Sequence, residues 1–348
     1  MVSNEIKFWK SLDASLMTRI RAWRLGFLTR SYIAYGLSQQ AVATDDYVTD
    51  YERWVKTFAF NGSMGGWLLS NKLAFSWMMQ SVGFSAHVPS VFALLRGGAT
   101  YSIDQETGFR GIDGLLRRLD VEGRLVVKPT GGARGQGLLM IGKTDSGIRV
   151  NGMVTSCSEL VQLLLHQRES IAMRHVSQHE YARRVFPETV NTIRVLTLCD
   201  DEGAFAAIAV HRFGTRQSVP ADNWSRGGVC SLIDLSSGTL GPGMCLDSRG
   251  HSARHEVHPD TREPIAGLAI PRWQDVLSGV LSMAEAVAFI PYVGWDIIVT
   301  PDTWVVLEGN TCTDVNLLQI HAPLLTQSRV RRFFDIRGVT RGVRSPLA

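Results

Sequence analysis

Apolar and polar residues alternate most regularly near the end of the chain. There Gly294-Trp295-Asp296-Ile297-Ile298-Val299-Thr300 leads through Pro301-Asp302-Thr303 into Trp304-Val305-Val306-Leu307-Glu308-Gly309-Asn310. A period of two broken by Pro-Asp predicts two strands joined by a hairpin. A loop at 301 to 303 sets position 296 opposite 308, so Asp296, Glu308 and Asn310 share one face, and Ile297, Val299, Val305 and Leu307 the other. The same reading predicts strands over 124 to 129, 138 to 141, 147 to 154, 190 to 198 and 204 to 213, and a strand start over 86 to 92. Helical spacing marks 70 to 82, 112 to 119, 157 to 167 and 272 to 289. The first eighty-odd residues, rich in Trp, Leu, Met and Ser without strong β-branched runs, predict helices that cap the later strands. Within that region Ile6, Phe8, Trp9, Leu12, Leu16, Ile20, Trp23 and Leu28 recur at near-helical spacing among Lys and Arg. Such a stripe is expected to pack on its own domain rather than on a membrane surface or a partner. Arg329 to Arg344 is expected to be a solvated, partly ordered tail.

Composition narrows the classes. The 348 residues are 45% hydrophobic and 20% charged with a net charge of +4, enough for a sizeable core and weak for a nucleic-acid binder; no basic stripe interleaved with aromatics appears. Cys157, Cys199, Cys230, Cys245 and Cys312 are odd in number and contain no C-x-x-C pair, the usage of reduced thiols in a cytoplasmic protein. The start, Met1 to Lys7, lacks the order of a signal peptide, and charges interrupt every long apolar stretch, so neither secretion nor a membrane span is expected.

Chemistry enters at three places. Carboxylates at 296 and 308 on adjacent strands would stand roughly 5 Å apart, tolerated mainly around a cation, and the oxygen-only set with Asn310 suits Mg2+. An ordinary solvated polar face is the alternative. Second, Lys128 ends a strand and runs into Pro129-Thr130-Gly131-Gly132-Ala133-Arg134-Gly135-Gln136-Gly137, a glycine density that lets backbone N–H groups approach phosphate. The formal P-loop match at 137 to 144 is rejected, because Leu-Leu-Met-Ile between its glycines is strand-like and no helix comes after it. Third, Ile171 to Glu180 offers strand backbone for an adenine edge, and Arg194 within Val190-Asn191-Thr192-Ile193-Arg194 could clamp a carboxylate or phosphate. His211-Arg212 and Asp222 to Gly228 add polar groups, whereas His251, His255 and His258 lack helix spacing or carboxylate partners for a metal.

In order, Asn71-Lys72-Leu73-Ala74-Phe75, Val127-Lys128-Pro129, Gln178-His179, Asn191-Thr192-Ile193-Arg194, Asp222-Asn223, Gly227-Gly228, His258-Pro259, Ile270-Pro271-Arg272-Trp273, Gly294-Trp295-Asp296 and Glu308-Gly309-Asn310 resemble the ATP-grasp superfamily. Within it the chain is similar to the sugar-transfer-associated ATP-grasp family, related to alpha-L-glutamate ligases, from about residue 60 to 325. The resemblance implies an α+β fold of two α+β subdomains gripping ATP, with an N-terminal helical extension. Its expected limits are 1–60 for the helical region, 61–122 and 123–180 for the N-terminal and lid subdomains, 181–328 for the C-terminal subdomain and 329–348 for the tail. It implies ATP held by Lys72, Lys128, Gly131, Gly132, Arg134, Gly135, Gly137, Gln178, His179 and Glu180. One or two Mg2+ ions are implied on Asp296, Glu308 and Asn310, with Arg194, Lys128 and Arg212 catalytic. Gln178-His179-Glu180 stands where many members present a carboxylate to the ribose. The implied activity is an ADP-forming carboxylate-amine ligase acting on small molecules through an acyl phosphate; a small-molecule kinase and a non-catalytic nucleotide-binding protein are the alternatives.

Overall fold

The computed structural model describes residues 2–39, 43–104, 109–132, 137–145 and 147–340. The chain divides into two compact units, one of Trp67–Ser177 with Trp304–Glu308, the other of Met1–Gly66, Gln178–Thr303 and Gly309–Ala348. The fold is α+β, with two seven-stranded antiparallel sheets.

The helices in chain order are α1 (Val2–Phe8), α2 (Leu16–Arg24), α3 (Thr29–Ala34), α4 (Gly62–Ser70), α5 (Lys72–Ser81), α6 (Gly111–Glu122), α7 (Cys157–Leu165), α8 (Glu180–Val185), α9 (Trp273–Ala286), α10 (Val315–Gln319) and α11 (Ser328–Ile336). The smaller unit holds α5, α6 and α7 and the strands β1 (Val91–Arg96), β2 (Ala99–Ser102), β3 (Arg124–Pro129), β4 (Leu139–Thr144), β5 (Gly147–Val150), β6 (Met153–Thr155) and β7 (Glu169–Arg174), ordered β2-β1-β7-β3-β4-β5-β6. Leu115 and Leu119 of α6 and Leu160 and Leu164 of α7 pack on Leu95, Leu125, Val127 and Ile141 of the sheet. Ser156 starts α7 with a capping box: its hydroxyl accepts from the Glu159 N–H while the Glu159 carboxylate accepts from the Ser156 N–H. Residues 304–308 join this unit through Trp304, whose ring stacks on His87 at 4.0 Å and whose carbonyl accepts from His87 Nδ1 at 3.0 Å.

The larger unit carries β8 (Ile193–Asp200), β9 (Gly203–Phe213), β10 (Val229–Ile233), β11 (Leu240–Leu246), β12 (Ser252–His255), β13 (Tyr292–Val299) and the last two residues of β14 (Trp304–Asn310), in a sheet ordered β12-β11-β10-β9-β8-β13-β14. Val195, Leu196 and Leu198 on β8 and all of β13 are buried, the near-continuous apolar run expected of strands covered on both faces. One core joins Leu196, Leu198, Val210 and Tyr292 to Leu317, Leu318, Val330, Phe333 and Phe334.

Four expectations change. Residues 147 to 154 form two strands, because Asn151 (φ 51°) and Gly152 (φ 84°) turn the chain in the left-handed region. That Asn-Gly pair is a hairpin signal. The strand expected from residue 86 starts only at Val91, after a short turn over Ser85–His87 and Pro89. The segment expected as a basic tail opens with α11, which buries Val330, Phe333 and Phe334 and directs Arg329 to Asp200 (2.7 Å). In the N-terminal stripe, Ile6, Trp9, Leu16, Ile20 and Trp23 are exposed, while Leu12 is buried.

Candidate functional site

The expected site residues fall into a cluster of charged groups in each unit. In the smaller unit Asn71 caps α5, its Oδ1 accepting from the N–H groups of Leu73 (3.0 Å) and Ala74 (3.1 Å). The cap fixes the first turn, and Lys72 lies in it. The Lys72 N–H donates to Thr130 O at 2.8 Å. Its Nζ donates to Gly132 O at 3.0 Å and stands 3.7 Å from Glu308 Oε2. Lys72 is thus bound at both ends to the stretch after Lys128.

Strand register places Lys128 on the same face. It pairs with Ile171 as Val126 pairs with Met173, and with a period of two these four side chains line one side of the sheet. That side meets Leu73 and Val91 in a small apolar cluster. Beside it opens a cleft of about 220 Å³, counting its open mouth, lined by Phe75, Val88, Val91, Ile171 and Met173 together with Lys72 and Lys128. An apolar wall carrying two ammonium groups suits a ligand with one flat apolar part and one anionic part. Of the expected loop residues, Gly131, Gly132 and Gly137 are described, whereas Arg134 and Gly135 lie outside the described residues. Gly137 has φ +73°, the left-handed region that favours glycine, and a Cβ there would come as close as 3.0 Å to Pro129 Cγ.

In the larger unit Asp296 on β13 faces Arg194 on β8 as a cross-strand pair. Arg194 Nε donates to Asp296 Oδ1 at 2.5 Å and Nη2 to Oδ2 at 2.9 Å, a two-pronged contact, while Nη1 reaches Thr313 Oγ1 at 2.9 Å. Arg212 on β9 adds Nη2 at 3.0 Å from Asp296 Oδ2. Its Nε donates to Thr192 Oγ1 at 2.9 Å and lies 3.5 Å from Asp222 Oδ2. The Thr192 hydroxyl donates in turn to Asp222, which also accepts the Thr192 N–H at 2.8 Å. The result is a buried chain of alternating sign: Arg194, Asp296, Arg212, Asp222.

Gly294 makes room for it. A Cβ at that position would lie 2.3 Å from Thr313 Oγ1 and 3.2 Å from Arg194 Cδ. This packing sets the electrostatics. Burial alone would raise the Asp296 carboxyl, but the Arg194 and Arg212 guanidinium groups outweigh it and hold the group down at about 2. For Asp222 burial dominates over Arg212 and the Thr192 bonds, and its carboxyl titrates above the usual range.

The expected metal ligands differ in their engagement. A carboxylate has about four lone-pair sites, and three of those on Asp296 receive guanidinium protons, which leaves one on Oδ1. The Asn310 amide donates Nδ2 to Gly294 O at 3.0 Å, so its oxygen is the atom that remains for a ligand. Glu308 has Lys72 as its nearest cation. These are hard oxygen donors of the kind Mg2+ takes. Among the described residues no group of three or more His, Cys, Asp and Glu side chains could hold a metal. His258 is fully buried, donating Nε2 to Gly214 O at 2.7 Å, and His255 lies 3.0 Å from Cys245 Sγ.

Gln178, His179 and Glu180 belong to the larger unit and are engaged locally. The Gln178 amide donates to Thr189 O and accepts from Asn191 N, His179 caps α8 by accepting from Tyr181 N, and Glu180 pairs with Arg183 on the surface. Behind them His211 is fully buried. Its Nδ1 faces the Arg212 carbonyl and so carries the proton, and Nε2 accepts from the Tyr181 hydroxyl at 2.7 Å. Burial pushes this imidazole down to about 3, so it stays neutral. Thr192 stood in the Asn191-Thr192-Ile193-Arg194 motif without a role of its own, and Thr313 is a polar member that the sequence did not single out. A lone threonine carries no spacing signal.

Residues 59–332 match the family described as sugar-transfer associated ATP-grasp. No curated protein matches the chain. Among solved structures it is similar to an L-amino acid ligase from Bacillus licheniformis, with 11% identity, 70% of this chain and 40% of that chain covered and a TM-score of 0.36. It is similar also to the biotin carboxylase domain of the Hydrogenobacter thermophilus 2-oxoglutarate carboxylase (13%, 81% and 47%, 0.41). A third is a peptide-associated ATP-grasp ligase of Chryseobacterium gregarium, solved with ADP and a leader and core peptide (12%, 78% and 59%, 0.38). The chain spans less than two thirds of each of these structures.

Proposed function

Because the chain belongs to the sugar-transfer associated ATP-grasp family, we propose that it is an ADP-forming ligase that joins a small-molecule carboxylate to an amine. The observation that carries this reading is the buried Arg194-Asp296-Arg212-Asp222 chain, two guanidinium groups fixed in place by carboxylates. Groups that cost no reorganisation when negative charge develops are what phosphoryl and acyl transfer require of a protein.

In the first step a carboxylate oxygen of the substrate attacks the γ-phosphorus of ATP, the bond to the bridging oxygen breaks, and ADP leaves. Lys72 and Lys128, brought to one cleft, neutralise phosphate oxygens there. In the second step the amine nitrogen attacks the acyl carbon, inorganic phosphate departs, and the amine loses a proton to give the amide. Arg194 and Arg212 hold the acyl phosphate through paired N–H donors. Mg2+ on Asp296, Glu308 and Asn310 would supply charge neutralisation between phosphate oxygens. Gln178, His179 and Glu180 border the nucleotide through backbone rather than side chain, since their side chains are engaged locally.

A screen of carboxylate and amine pairs for ADP release, with hydroxylamine added in place of the amine, tests the reading. The ligase yields a hydroxamate with ADP. ADP and a stable phosphorylated alcohol without hydroxamate would identify a kinase instead.

A further inference from the structure

In the larger unit two helical segments before residue 60 turn apolar side chains outward, whereas α3 buries Tyr32, Ile33 and Ala34. On α2 the buried residues are Arg19 and Ala22, while Leu16, Met17, Ile20 and Trp23 are exposed, Met17 at 73%. The inversion has a local cause. Arg19 Nη2 donates to Trp9 O (2.9 Å) and Leu12 O (3.3 Å), and its guanidinium lies over the Trp9 ring at 4.3 Å. Burying the arginine to hold the α1–α2 turn forces the apolar side outward. A second helical stretch, Glu52–Lys56 running on into Thr57–Ala59, repeats the pattern. This stretch, a π turn followed by a 3-10 turn, buries Arg53 and Thr57 and, with Tyr51 just before it, exposes Trp54, Val55 and Phe58. The two faces meet at a seam where Tyr51 N donates to Gly26 O at 2.9 Å, next to exposed Leu25.

Clustered exposed apolar side chains on a protein surface mark an interaction. Charge selects the partner. Lys7, Lys10, Arg21 and Arg24 are exposed, whereas Glu5 is buried and accepts from Thr29 and Glu52 is half-buried and accepts from Thr49, leaving Asp13 between residues 5 and 25. Exposed tryptophan beside basic side chains in excess of acids is the composition that settles at an anionic bilayer surface. We propose that this face docks the protein on a membrane surface rich in anionic lipid, with Trp23, Trp54 and Phe58 in the headgroup region and Arg21 and Arg24 against lipid phosphates. Among the described residues no helix is long and apolar enough to cross a membrane, so the association is peripheral.

Co-sedimentation of the full chain with vesicles tests this. Vesicles of phosphatidylcholine containing about 30% phosphatidylglycerol should bind at least tenfold more protein than phosphatidylcholine alone, the difference shrinking as salt rises. Arg21→Glu with Arg24→Glu, and separately Trp23→Ser with Phe58→Ser, should each lower binding by roughly tenfold or more at an unchanged melting temperature. Equal binding of both variants and parent, or no binding to anionic vesicles, would overturn the proposal. So would a concentration-dependent dimer in sedimentation velocity that both variants abolish, which would assign the face to a second copy of the chain. ADP release is read separately and does not depend on this outcome.

Discussion

Asp296 joins two buried arginines through a single carboxylate. Its two guanidinium partners are buried with it, and removing the charge leaves both unpaired. Asp296→Asn should therefore cost about 3–5 kcal/mol in urea unfolding near neutral pH. The folded value of about 2 lies below the ordinary 3.8, so this stabilisation is present above that ordinary value and is lost as pH falls through the folded one. The gap between parent and variant should narrow as the titration runs from pH 4 or so towards pH 2, and a gap independent of pH would refute the ion-pair account. Thr192 is the second test. Its hydroxyl accepts from Arg212 and donates to Asp222, and a valine of the same shape leaves both without that bond. Thr192→Val should lose about 1–3 kcal/mol and most ADP release, with Thr192→Ser restoring both. Gly294→Ala forces a methyl onto Thr313 and should cost about 1–3 kcal/mol. At this scale the sequence identified Arg194, Arg212 and Asp296 by type and order. It did not show that they contact one another, because a pair contact between residues about a hundred apart is set by strand register.

Among the elements, those with local signals were legible. The 70 to 82 helix ends where expected because Asn71 caps it and Gly83 takes φ +93°, and the 272 to 289 pattern became α9. The hairpin strands after Gly294 formed over the expected residues, and the Thr300 N–H bonds to Thr303 O at 2.8 Å across the turn. The P-loop match fell on β4, as its strand-like residues required. Elements without a period were not legible: β11 contains Gly241-Pro242-Gly243, and the five-residue α10 is too short to show one. The cap on α5 links an element to the candidate chemistry. Asn71→Ala should cost about 1 kcal/mol and raise the KM for ATP several-fold, while Asn71→Asp keeps both, as measured by unfolding and steady-state kinetics. A KM unchanged in the alanine variant would separate Lys72 from the nucleotide.

On the scale of the whole molecule, composition separates the classes and packing draws the boundaries. The two units have separate cores, and the segment after residue 328 belongs to one of them through Phe333 and Phe334. Phe334→Ala should cost about 3–5 kcal/mol, far more than Arg329→Ala, whose partly exposed pair with Asp200 contributes under about 1 kcal/mol. Equal losses would restore the reading of this segment as a solvated tail. The sequence by itself determined the α+β class and the family, since periodicity and motif order are written along the chain. Only the tertiary structure decided that Asp296 is shared by Arg194 and Arg212, that Lys72 and Lys128 open on one cleft, and that an N-terminal stripe faces outward. Each of these depends on which distant residue occupies the space beside a side chain. Spacing along the chain records the direction in which a side chain points, and packing supplies the partner it meets.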